Sequence, residues 1–188
     1  MEVKVGVSAR HVHVSKEDLN TLFGKDYELT KKVDLSQPGQ YACNEQVSLK
    51  GPKGTIERVR ILGPVRNETQ VEISKTDSFI LGVKPPVRNS GDLEGAFEIT
   101  IVGPHGEVTK NAAIIASRHV HATREDAKKY GFEGKDVVSL LVKGEKGGIL
   151  NNVYVRISDE FSFEVHLDTD DANAFLIKNG DVAELIVK

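Results

Sequence analysis

The chain has 188 residues, 39% hydrophobic and 28% charged, with a formal net charge of -3 at pH 7. That balance belongs to a globular protein and excludes disordered and fibrous classes, while the mild acidity removes the overall basic excess usual in nucleic-acid binders. No apolar run approaches a membrane span, no signal-peptide pattern precedes the first strand, and the lone Cys43 can form no internal disulfide, so a cytoplasmic setting is expected.

In chain order, the first predicted element is the alternating strand VKVGVSA, which runs into SARHVH, Ser8 to His13. A short helix follows. Ser15 is its N-cap, Glu17 and Asp18 favour its positive end, and Gly24 stops it. Then come QVSLKGPKGTI (Gln46 to Ile56), the strand RVRIL, TQVEIS (Thr69 to Ser74) and a closing Gly-Asp with the strand FEITIV. After the turn GPHGE the same order returns. ASRHVH (Ala116 to His121) leads into a helix capped by Thr123, with Glu125 and Asp126 in its first turn and Gly131 at its end. VVSLLVKGEKGGI (Val137 to Ile149), NVYVRI, FEVHLD (Phe163 to Asp168) and a final Gly-Asp strand complete it. Self-similarity over this length reads as a tandem duplication, residues 1–108 forming an N-terminal repeat and 109–188 a C-terminal one, with the seam near Val108 to Asn111. Many short strands, glycine-rich turns and few helices predict a mostly β protein of two small closed β-barrels with short capping helices.

In H-V-H on an extended chain, residues i and i+2 point to one side, so His11 and His13 converge, as do His119 and His121. A lone histidine is ordinarily a satisfied core or surface residue; two same-face pairs in a duplicated frame read as metal ligands. The repeat alignment supplies a third ligand to each pair, Glu72 in VEI and His166 in VHL. Three protein ligands are the number usual for a catalytic zinc, because a further position stays open to water or substrate. His105, in the turn, reads as structural or solvated, and Cys43 as a buried small residue. A stretch with Lys50, Lys53, Arg58, Arg60 and Arg66 against one acid, Glu57, offers a local basic surface, as a solvated strand edge also would.

The two R-H-V-H strings, GPVRNETQVEIS from Gly63 to Ser74 and FEVHLDTDDANA from Phe163 to Ala174 resemble the phosphate propanoyltransferases, also called PduL-type phosphotransacylases, over essentially the whole chain. The resemblance implies two interleaved barrels, with the first strand completing the C-terminal one, and two zinc ions at their junction. It also implies reversible transfer of a short acyl group between coenzyme A and inorganic phosphate. By the same resemblance His11, His13 and Glu72 hold the zinc that meets the coenzyme A sulfur, and His119, His121 and His166 hold the second. Arg66 matches the family's essential arginine, and Ser8, Arg60 and Asn173 match coenzyme A contacts. A thioester attacked by phosphate passes through an oxyanion and expels a thiolate, both of which suit an open-site zinc, while the anionic phosphate needs positioning by a planar fork such as that of Arg66. Arg66 aligns with Glu160 in the second copy. Microcompartment-packaged relatives carry an amphipathic N-terminal extension; none precedes the first strand here, so a free cytoplasmic form is expected unless the chain was trimmed. The competing reading is a cupin-like mononuclear metal oxygenase or isomerase, since His11, His13 and Glu17 spell HxHxxxE. Acyl chain length, metal identity and a homo-oligomeric state stay open.

Overall fold

The structure is a computed structural model describing residues 1–187. It contains β1 (Glu2–Ser8), β2 (His11–His13), α1 (Lys16–Phe23), β3 (Lys31–Asp34), β4 (Tyr41–Lys50), β5 (Thr55–Gly63), β6 (Gln70–Glu72), α2 (Lys75–Leu81), β7 (Val87–Arg88), β8 (Phe97–Val102) and β9 (Glu107–Ala116). These are followed by β10 (His119–Ala122), α3 (Arg124–Tyr130), β11 (Val137–Val142), β12 (Gly148–Ile157), β13 (Glu164–Asp168), α4 (Thr169–Ala174) and β14 (Val182–Ile186).

The contacts divide into two compact units. One comprises Arg10–Leu35 and Gly39–Ala116; the other comprises Met1–Ala9, Ser36–Pro38 and the chain from Ser117 onward. In the first unit β4-β5-β2-β6-β9 run side by side, and β8 pairs with both β4 and β9, so six strands close into a ring, with β3 and β7 added at β4 and β9. Val12, Leu49, Ile61, Val71 and Ile101 fill its core. In the second unit the ring is β1-β13-β10-β12-β11-β14, filled by Val5, Val120, Phe132, Leu140 and Leu167. The two rings have the same pairing pattern: β2 lies parallel to β5 and antiparallel to β6, as β10 lies parallel to β12 and antiparallel to β13. Strand β1 takes the place in the second ring that β9 takes in the first, parallel to β13 and antiparallel to β14. The compact units therefore change over at Ala116/Ser117 in this part of the chain, because β9 runs unbroken across residues 108–109 and stays with β6 and β8.

Both expected helices form where their caps stand. The Ser15 side chain accepts from the Asp18 backbone N–H, and Thr123 and Asp126 make a reciprocal capping box ended by Gly131 at φ 74°. Two further helices, α2 and α4, follow the strands that carry the candidate third ligands. Ser74 and Asp77 form the box that starts α2, and Asp168 accepts from the Asp171 N–H at the start of α4. Among the described residues no helix is long and apolar enough to cross a membrane.

Candidate active site

Strand pairing assembles each cluster before any side chain is considered. In the first unit the antiparallel pair β2–β6 sets His11 directly across from Glu72, and in the second the pair β10–β13 sets His119 across from His166. The i, i+2 alternation then brings His13 and His121 to the same faces. The potential ligand atoms of His11, His13 and Glu72 lie within 4.8 Å of one another, as do those of His119, His121 and His166. All but His166, which is partly exposed, are buried.

Such burial ordinarily requires every polar atom to find a partner. Among the described residues His13 Nδ1 and both ring nitrogens of His121 are buried with none. Burial, reinforced by neighbouring His11 and Arg66, pushes His13 down to about 3, and burial with His119 and His166 pushes His121 down to about 2. Both imidazoles are thus neutral at pH 7, with lone pairs available. Burial alone would raise the Glu72 carboxyl, but His11, by charge and by hydrogen bond, holds it well below the usual carboxylate range. His11 Nε2 stands 3.4 Å from Glu72 Oε2. His119 is oriented through Nδ1, 2.8 Å from the Ser117 carbonyl. Neutral imidazoles plus one carboxylate are the donor set zinc takes, and orphaned buried nitrogens are what a metal-binding cluster leaves when its protein contacts alone are counted. The residues fit the metal.

Two groups missing from the sequence reading stand two residues before each third ligand. Gln70 donates from Nε2 to Glu72 Oε1 at 2.6 Å, and Glu164 Oε2 lies 2.7 Å from His166 Nε2. Glu164 is also gripped by the Ser36 hydroxyl, while Gln37 exchanges hydrogen bonds with the Ser162 backbone. Strand alternation was the signal that could have found Gln70 and Glu164; nothing in the sequence marks Ser36.

Arg66 follows the cis peptide Gly63–Pro64, and its backbone N–H donates to Val14 O at 2.9 Å, tying it to the end of β2. Its Nη1 lies 3.4 Å from Ser90 Oγ. It borders two cavities, of about 470 Å³ and about 580 Å³, both also lined by Asn67, Glu68 and Leu93. Arg60, on β5, donates from Nη1 to the Cys43 and Asn44 carbonyls at 2.9 and 3.0 Å. Ser8 ends β1, and Asn173 is exposed on α4. His105 is exposed, and Cys43 is fully buried in the core of the first unit. Glu17 is exposed in the first turn of α1, away from the strand on which His11 and His13 lie, and the cupin-like reading finds no support.

The family model of phosphate propanoyltransferase matches residues 4–178. A phosphate propanoyltransferase of Thermotoga maritima is 54% identical over 184 residues, covering 97% of this chain and 88% of that protein. One from Priestia megaterium is 52% identical over 184 residues, covering 97% and 85%. One from Clostridioides difficile is 49% identical over 187 residues, covering 99% and 90%. Likeness of this extent takes in both histidine clusters and the arginine segment together, and the chain belongs to the phosphate propanoyltransferase family.

Proposed function

We propose that the protein is a phosphotransacylase that reversibly transfers a short acyl group between coenzyme A and inorganic phosphate. The observation that carries the proposal is the pair of three-ligand clusters, buried except at His166, with orphaned ring nitrogens, in a chain of this family. His11, His13 and Glu72 would hold one zinc, and His119, His121 and His166 the other. When bound, zinc supplies Lewis acidity toward a carbonyl oxygen and a soft partner for sulfur. The chain's own residues do the rest. Arg66 holds the phosphate through its planar fork and neutralises its charge, so that an anionic oxygen needs no base before it meets the carbonyl carbon. The phosphate oxygen–carbon bond forms, the carbon–sulfur bond breaks, and the thiolate leaves as coenzyme A. Ser8, Arg60 and Asn173 bind coenzyme A, and the lone buried Cys43 suits a cytoplasmic enzyme.

The test is thiol release from acetyl-CoA and propionyl-CoA with and without phosphate, alongside zinc content. The expected result is release that requires phosphate, with about two zinc per chain, and a drop on the order of 10²–10³-fold in kcat for Arg66→Ala with zinc retained. Release independent of phosphate would instead identify a hydrolase and refute the proposal. Absence of zinc, or full turnover in Arg66→Ala, would remove the roles assigned to these residues.

A further inference from the structure

Glu72 has two oxygens, and the structure gives them different partners. Oε1 receives the Gln70 Nε2–H at 2.6 Å, while Oε2 faces His11 Nε2 at 3.4 Å. The orientation of the Gln70 amide is not arbitrary. Its oxygen accepts the Gly91 backbone N–H at 2.7 Å, a group that can only donate, so the amide nitrogen must face Glu72 and Ser90. Gly91 adopts φ 98°, a left-handed conformation that a side chain would strain.

Gln70 is 2% exposed, so water does not substitute for these partners. Ser90 completes the arrangement. Its hydroxyl oxygen lies 2.9 Å from Gln70 Nε2 and 3.4 Å from Arg66 Nη1, and the same hydroxyl hydrogen-bonds to Glu72.

We propose that Gln70 is a positioning residue: by occupying Glu72 Oε1 it makes Glu72 a one-oxygen metal ligand, and through Ser90 it locks that ligand to Arg66. A carboxylate free at both oxygens can close around a metal and fill the position that substrate needs. Holding one oxygen back keeps that position open. Anchoring Ser90 also fixes the distance between the metal-binding carboxylate and the guanidinium. The inference rests on the metal reading proposed above.

The test is chelator competition on the zinc-loaded full chain, reading each zinc separately and using Glu72→Ala to mark the zinc of the first cluster. Gln70→Met keeps the side-chain length and removes the amide. The expected result is release of the first-cluster zinc at about 10- to 100-fold lower chelator strength, with the second zinc leaving as in wild type, a selectivity that general loosening of the fold would not give. A Gln70→Met curve superimposable on wild type overturns the positioning role. Should that variant fail to fold by circular dichroism, Ser90→Ala decides: selective loosening of the same zinc supports the proposal, and an unchanged curve overturns it. Wild-type protein that binds no zinc overturns both this inference and the metal reading, whereas an unchanged variant beside a two-zinc wild type overturns this inference alone.

Discussion

Replacing Lys110 by Met should destabilise the first unit by about 2 kcal/mol at pH 7, and the loss should shrink as the pH is lowered. The Lys110 ammonium, on β9, lies 2.5 Å from Asp18 Oδ2 in α1, and the same oxygen receives the Thr69 hydroxyl next to β6. Asp18 is 5% exposed, so one buried carboxylate joins three elements. Removing one partner of a fully buried ion pair costs about 3–5 kcal/mol, and an exposed pair is worth about 0–1. The Lys110 side chain is 38% exposed, which places the loss between those limits. Burial pushes the Asp18 carboxyl up, but the hydrogen bonds from Lys110 and Thr69 and the charge of Lys110 hold it below its ordinary 3.8. A carboxyl lowered in the folded state stabilises fully above its unfolded value and loses that contribution as pH falls through the folded one. Urea unfolding at pH 7 and at stepwise lower pH should therefore show the wild-type advantage intact down to about pH 4 and narrowing beneath it. Calorimetry should show a Tm loss of about 4–8 °C for a chain of this size. A Tm within about 1 °C of wild type, or a gap that stays constant from pH 7 to pH 3, would refute the assignment of Asp18 as a buried anion supported by Lys110.

Gly6 pairs in register with His166, and a Cβ there would stand 3.0 Å from His166 Cδ2 and 3.2 Å from Glu164 Cδ. Because Glu164 holds that imidazole at 2.7 Å, the ring cannot retreat without losing its partner, so Gly6→Ala should loosen zinc at the second cluster by about 10-fold and leave the first unchanged; equal affinities in chelator titration would contradict this. Burial, assisted by Glu45, pushes the Cys43 thiol up to about 11, and native protein should react with a thiol reagent at pH 7 only as fast as it unfolds. Labelling that is rapid in native buffer and insensitive to added urea would show the thiol to be accessible.

Period-two alternation and the repeated H-V-H strings carried the two-barrel class, because a closed barrel needs many short strands with one inward face. Details that depend on where alternation breaks were not legible. Counting by twos from the buried Ile56 would turn Arg58 inward; instead Arg58 adopts φ 57°, the register shifts, and Val59 becomes the next buried residue. Asn152 does the same between Leu150 and Val153 in the second unit. Helices α2 and α4 were missed because Ser74 and Asp168 read as strand ends, although each begins a run with an acid three residues on, which is the mark of a cap. Ser90 was illegible for a different reason: its contacts with Gln70 and Arg66 come from residues 20 and 24 positions earlier, and no local pattern encodes such a meeting.

The divergence between the two histidine clusters follows from where each repeat places its acid. In the first, the acid is the third candidate ligand, Glu72, with the neutral amide of Gln70 behind it; in the second, the third candidate is His166, with the acid, Glu164, behind it. The first donor set is therefore anionic and would repel an incoming phosphate if nothing compensated it. Arg66 supplies the compensation: its charge is felt at His13 and its guanidinium reaches Ser90, which in turn meets Glu72. At the aligned position the second repeat has Glu160, exposed, and the cation whose charge is felt by the second cluster is instead Arg156, on β12, acting at His121. Each repeat thus sets an arginine charge against the second histidine of its H-V-H string, Arg66 against His13 and Arg156 against His121, so the change from arginine to glutamate between positions 66 and 160 moves the cation to β12 rather than removing it.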